Sequence, residues 1–533
     1  MKKFSLFFAI LLVPFLALAN PASKRTYRKL VLKNGLKVVL VSDASLNVSS
    51  ASMDVGVGSL ADPDKRLGLA HFLEHMLFLA TKKYPKLNEY GEYLKAHGGY
   101  SNAFTAADHT NYHFQVNHDG FPEALDRFGH FFIDPLLDYK YAQREVMAVD
   151  AEHRKNIPQD TWRIMQLRRS LFKKSHPASK FHTGCLETLK GTTEQELREF
   201  FETYYGPTNM ALSILSPLSL DEQERLVRKI FSQIPSRKIK IFECSWKVLD
   251  PKNALRLVRV VPLKDMRQLK LYFPLPPQYK KVGEKTINLI GMTMGDEGKG
   301  SLLSYLKKLG YATSLSAGVG NETRFFSSCG VTVGLTPKGL QNWRQVLTLC
   351  MAYFELLRSS PYPKHIWKEM KTLAKLKELY SPKGEGTDRA IAIASNANLY
   401  GLKIAEKVES YFTHPDEKDY YQLLSYMKPS NMLVFLVAKG LKTDKKEKWY
   451  GTQYSYVEEK GKFFESLQKP TVPKAIHLPL PNPFLPKRLG IYRERPVLIA
   501  KNRYYTLWYG QDLEFRRPKV SIMLHILTPN AYN

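Results

Sequence analysis

His71, Glu74 and His75 stand together in H-F-L-E-H, inside a run, 69–80, in which every other residue is apolar. A helix that is apolar on all sides belongs in a protein interior. A carboxylate with two imidazoles is costly there unless something pairs with them. The histidines are four apart, so both rings leave one helix face and can converge on a single ion. Glu74, one turn from His71, is placed to reach a water held at the same point. Two neutral imidazoles beside a carboxylate suit zinc with an activated water. Two satisfied core histidines with an ion-paired glutamate would leave the same pattern.

The order H-x-x-E-H is the inverted zinc-peptidase motif, and a zinc site of that kind needs a third protein ligand. The stretch 138–156 has no Gly or Pro and carries Ala142, Val146 and Val149 as an apolar stripe at helical spacing. Glu145, Val149 and Glu152 follow i, i+4, i+7, so two carboxylates point along one line. Surface glutamates are the usual explanation for such a pair. Beside a two-histidine site that lacks a ligand, Glu152 is the candidate ligand and Glu145 its neighbour.

H-F-L-E-H-M-L-F-L-A-T-K-K-Y-P (71–85), S-N-A-F-T (101–105), H-T-N-Y (109–112) and R-E-V-M-A-V-D-A-E-H (144–153) together resemble the insulinase/pitrilysin family of inverted-motif zinc peptidases. The likeness continues through 295–310, W-Y-G-T-Q-Y (449–454) and W-Y-G-Q-D (508–512). The resemblance implies an α+β fold. Two related domains, each a mostly antiparallel sheet flanked by helices, would be followed by the truncated start of a third. It implies a metalloendopeptidase acting on peptides and small unfolded polypeptides, with one zinc ion per chain. Carried over by position, His71, His75 and Glu152 bind the metal, Glu74 is the general base and Glu145 the accessory glutamate. Asn102 and Ala103 match an edge strand to which a peptide adds as an extra strand; an ordinary hairpin strand would read the same way. Gly318 and Gly320 resemble a glycine-bearing strand that anchors a substrate N-terminus, although V-G-N-E-T-R (319–324) departs from the family pattern.

The chain divides into an N-terminal segment 1–19, a catalytic domain 20–247, a related domain 248–469, a Pro-rich linker 470–487 and a partial domain 488–533. Lys2 and Lys3, an apolar run 4–16 and Ala17-Leu18-Ala19 form a signal-peptide pattern, with export to a periplasm or the exterior expected. The final segment is too short to bury a core of its own. A separate C-terminal-half subunit, a homodimer or a truncated remnant that binds peptides without turnover are the alternatives to a self-sufficient enzyme.

Formal charge is +29, from 79 Lys and Arg against 50 Asp and Glu. The basic residues are dispersed, no nucleic-acid module is present, and no stable membrane span is expected. Cys185, Cys244, Cys329 and Cys350 include no C-x-x-C pair and read as buried thiols. The glycine-rich 295–301 segment carries G-K-G where a phosphate loop needs G-K-[ST], and reads as a turn into a helix.

Overall fold

The computed structural model describes residues 25–380, 386–486 and 496–510. The segment 1–19, where a signal peptide is expected, lies outside the described residues. The first sheet contains β1 (Thr26–Val31), β2 (Lys37–Ser42), β3 (Val48–Val55), β4 (Tyr100–Thr105), β5 (Thr110–Asn117) and β6 (Met210–Ser216), in the order β1-β2-β6-β3-β5-β4. The second contains β7 (Leu255–Val261), β8 (Gln268–Leu275), β9 (Ala312–Glu322), β10 (Ser327–Leu335), β11 (Leu433–Val437), β12 (Lys445–Lys446) and β13 (Gln453–Glu459). Its order is β12-β13-β7-β11-β8-β10-β9.

Aligning the two orders exposes an internal repeat. Each sheet has one parallel pair, β2 with β6 and β7 with β11, and is otherwise antiparallel. β3, β5 and β4 correspond to β8, β10 and β9. The outer strands β1 and β13 occupy equivalent places, although one precedes its sheet in the chain and the other follows it. The fold is α+β with two related units.

Both faces of each sheet are covered. In β2, Val38 and Leu40 enter the main core of the first unit, while Val39 and Val41 meet Ile393 and Ala397 of the helix Thr387–Tyr400. That explains the unbroken apolar run of β2, since strands buried on both faces lose their alternation. The second unit thus lends a helix to the first. The loan is returned: Leu167, with Phe172 and Ala178 after it, packs on Val258, Val260, Phe435 and Val437 of the second sheet.

Asp54 of β3 faces the borrowed helix. Its carboxylate accepts hydrogen bonds from Ser395 Oγ at 2.6 Å and Asn398 Nδ2 at 2.9 Å, and the residue is 1% exposed. Asp54→Ala removes a carboxylate acceptor from the half-buried Ser395 and the buried Asn398 and should cost about 3 kcal/mol. A urea midpoint unchanged from wild type would refute this.

The Pro-rich segment differs from a free linker. Through residue 486 it has no helix or strand, yet Ile476 is buried in the second core and the His477 N–H donates to Gly300 O. It is a strap held by apolar contact and scattered hydrogen bonds. Beyond it, β14 (Val497–Lys501) and β15 (Thr506–Tyr509) form a hairpin whose Ile499, Leu507 and Trp508 side chains are exposed. Cys185, Cys329 and Cys350 are buried free thiols, whereas Cys244 is only half-buried, because it lies in the irregular connection between the units. Among the described residues no helix is long and apolar enough to cross a membrane.

Candidate metal centre and active site

The H-x-x-E-H stretch forms α1 (Leu69–Leu77). Its start is shaped by Gly68 and Asp62. Gly68 has φ +91°, and a Cβ there would fall 2.3 Å from the Gly184 Cα, so only glycine fits. The buried Asp62 carboxylate accepts from the Gly68 and Ala70 N–H groups, both at 2.8 Å. It satisfies two orphan donors of the helix start from outside the helix. Ala70, Phe72, Leu73, Met76 and Leu77 then sink into the core, which fixes the direction of the opposite face.

Four further helices complete the first unit's framework near the site: α2 (Glu89–Ala96), α3 (Phe121–Ile133), α4 (Tyr139–Asn156) and α5 (Asp160–Ser170). Asp138 caps α4 by accepting from the Lys140 N–H. Ala142, Val146 and Val149 bury its apolar stripe, so Glu145 and Glu152 are carried towards α1.

Glu152 Oε2 lies 3.5 Å from His71 Nε2 and 3.7 Å from His75 Nε2. The three ligand atoms fall within 4.8 Å of one another. Zinc bonds of about 2.0–2.2 Å at tetrahedral angles separate ligand atoms by roughly 3.3–3.6 Å, so the donor set fits zinc in type and spacing. Glu145 Oε2 approaches His75 Nδ1 at 3.6 Å, and Arg144 donates to the other Glu145 oxygen. His71 Nδ1 donates to the Thr183 carbonyl at 2.7 Å, leaving Nε2 as the metal-facing lone pair. Glu74 is 6% exposed and accepts from Thr105 Oγ1 at 2.5 Å.

The charges show what the site lacks without a cation. Burial opposes protonation of both histidines, yet the hydrogen bonds to Glu145 and Glu152 push His75 up to about 9. His71 is raised too, against burial, by the bond to Glu152. Contact with His71 and then His75 holds Glu152 well below the usual carboxylate range, and contact with His75 lowers Glu145. Burial raises Glu74. Protons on the imidazoles stand where a dication would compensate the same carboxylates.

A raised histidine stabilises the fold fully below its unfolded value of about 6.5 and loses that contribution as pH rises through its folded value. The metal-free protein should therefore lose stability between pH 6.5 and about 9. The zinc-loaded protein, with neutral imidazoles in both limits, should lack that slope. Melting curves with and without chelator check this, and parallel pH profiles would contradict it.

A cleft of about 1000 Å³ opens over the site. The residues 101–105 of β4 line one side, with Asn102 exposed and Ala103 half-buried. β4 is an edge strand, paired only with β5. Gly318 and Gly320 lie on β9, the corresponding edge of the second sheet, and do not line this cleft. The helix Thr286–Met294, the counterpart of α1, approaches β9 so closely that a Cβ on Gly291 would sit 2.6 Å from the Gly318 Cα. His113 is in β5, while His109 and His118 are outside the strands. The 295–301 segment is a turn into a helix capped by Ser301.

The structure brings His71, His75 and Glu152 together, with Glu145 beside His75 and Glu74 on the same helix as the two histidines. Thr105, Thr183 and Arg144 were missed. Arg144 and Thr105 lie inside the quoted motifs 144–153 and 101–105 and were within reach of sequence reasoning; Thr183 comes from a remote irregular segment with no periodic signature.

An inverted-motif helix, a carboxylate beside its two histidines and an open sheet edge form an arrangement suited to a metallopeptidase. Residues 37–175 match the sequence model described as insulinase (peptidase family M16). Residues 192–373 match the peptidase M16 inactive domain, and 379–533 the middle or third domain of peptidase M16. An insulin-degrading enzyme-like 1, peroxisomal, from Arabidopsis thaliana is 36% identical over 95% of this chain and 54% of its own length. Human insulin-degrading enzyme is 36% identical over 96% of this chain and 52% of its own. The crystal structure of pitrilysin superposes with a TM-score of 0.88 at 29% identity, covering 92% of this chain and 54% of that one. The chain belongs to the insulinase/pitrilysin family. It spans about half the length of the curated relatives it matches.

Proposed function

We propose that this chain is a zinc metalloendopeptidase that hydrolyses peptides and small unfolded polypeptides. The observation carrying this is the convergence of His71, His75 and Glu152 beside Glu74, under an open strand edge. His71, His75 and Glu152 would hold zinc, which when bound would act as a Lewis acid, lowering the pKa of a water to about 7 and polarising a peptide carbonyl. Glu74 takes the proton of that water and passes it to the leaving amine. Thr105 holds the Glu74 carboxylate in place, and its hydrogen bond favours the ionised form against burial. Arg144 and Glu145 orient His75. The peptide lies along β4, hydrogen-bonding backbone to backbone at Asn102 and Ala103, so selection acts on extended conformation more than on sequence.

Residues 20–533 should cleave a short unstructured fluorogenic peptide when zinc is supplied, with a chelator abolishing cleavage. Zinc bound at about one ion per chain without cleavage would refute self-sufficiency. That outcome is the second reading, in which turnover needs a C-terminal-half subunit or a second copy. The exposed Ile499, Leu507 and Trp508 of the β14–β15 hairpin favour it.

A further inference from the structure

The loop 447–452 joins β12 to β13 at the edge of the second sheet and crosses to the first unit behind the metal centre. Several contacts build it there. Arg163 of α5 donates to the Tyr450 carbonyl at 2.6 Å and to the Gly451 carbonyl at 3.1 Å. Thr452 Oγ1 donates back to the Arg163 carbonyl. The buried Glu447 carboxylate accepts from the N–H groups of Trp449 and Tyr450, closing a tight turn that has Gly451 at φ +65°. Trp449 stacks on Phe181 with ring centres 4.3 Å apart. Tyr450 packs edge-on against His153, the residue after the ligand Glu152.

Tyr450 is 2% exposed, and its hydroxyl lies 3.2 Å from Thr183 Oγ1. Thr183 is the residue whose carbonyl accepts from His71 Nδ1. It sits in an irregular segment between α5 and the next α-helix, where no backbone ladder fixes it. Gly184, with φ +82°, then presses against Gly68 at the start of α1. A carbonyl that sets a ligand's tautomer must itself be held.

We propose that Tyr450 is a positioning residue for the metal centre. By holding Thr183 it fixes the carbonyl that orients His71, so metal affinity in the first unit depends on a loop of the second. This rests on the zinc reading above.

Zinc affinity of residues 20–533, measured by competition with a chromophoric chelator, tests it. Tyr450→Phe keeps the ring packing and removes only the hydroxyl; Thr183→Val removes the other end of the same bond. Each should weaken zinc binding about tenfold, with the metal-free melting temperature close to wild type. The double variant should be no weaker than either single one, since both remove one interaction. Wild-type affinity in Tyr450→Phe, or losses that simply add, would overturn the role of Tyr450. A lowered metal-free melting temperature with unchanged affinity would also overturn it, leaving a structural tyrosine. Should Tyr450→Phe fail to fold, Thr183→Val decides alone. Wild-type protein that takes up no zinc is a separate result, which overturns the metal reading itself.

Discussion

Glu74→Gln should retain about one zinc ion per chain while peptide hydrolysis falls about a thousandfold or more. The amide keeps the shape of the side chain and an oxygen to accept from Thr105 Oγ1, so the cleft should stay assembled. What disappears is the capacity to take a proton from water and return it to the amine. Glu74 is not one of the three convergent ligand atoms, so metal content is not expected to follow activity. Cleavage of a fluorogenic peptide and metal content on the same preparation provide the check. Residual turnover within tenfold of wild type would remove Glu74 from the base role.

Glu152→Ala should lose the metal itself. Two imidazoles then remain with no carboxylate between them, and dialysis against metal-free buffer should strip the zinc. Glu145→Gln makes the informative contrast. Its carboxylate lies 3.6 Å from His75 Nδ1, on the far side of the ring from the metal-facing nitrogen. Removing its charge should weaken binding by only about ten- to a hundredfold, as for a partner that orients a ligand. Stoichiometric zinc in Glu152→Ala, or complete loss in Glu145→Gln, would exchange the two assignments.

The centre was legible because its elements are regular. On a helix, spacing alone places His71 beside His75 and Glu145 in line with Glu152. The edge position of Asn102 and Ala103 was legible only through the family resemblance of S-N-A-F-T, since an ordinary hairpin strand reads the same way. Thr183 was not legible, because it reaches the site through tertiary closure of a remote irregular loop. The exchange of helices was half-written. The unbroken apolar run of β2 asks for cover on both faces, and the polar Ser50, Ser52 and Asp54 of β3 ask for polar partners. Neither can say that the cover comes from residues 387–400. The prolines after residue 469 mark a linker, but its docking through Ile476 and His477 carries no compositional mark.

That exchange imposes a schedule. Ser395 and Asp54 are 341 residues apart in the chain. At roughly 5–20 residues per second a ribosome takes about 17–70 s to make the intervening stretch. For the part of that interval after β6 has been made to bridge β2 and β3, one face of the sheet has no lid, and its apolar and charged groups meet solvent or a holding chaperone. The nascent metal-site unit is therefore a waiting intermediate. Its vulnerability to aggregation is set by translation speed beyond residue 216, well after every metal ligand has been made.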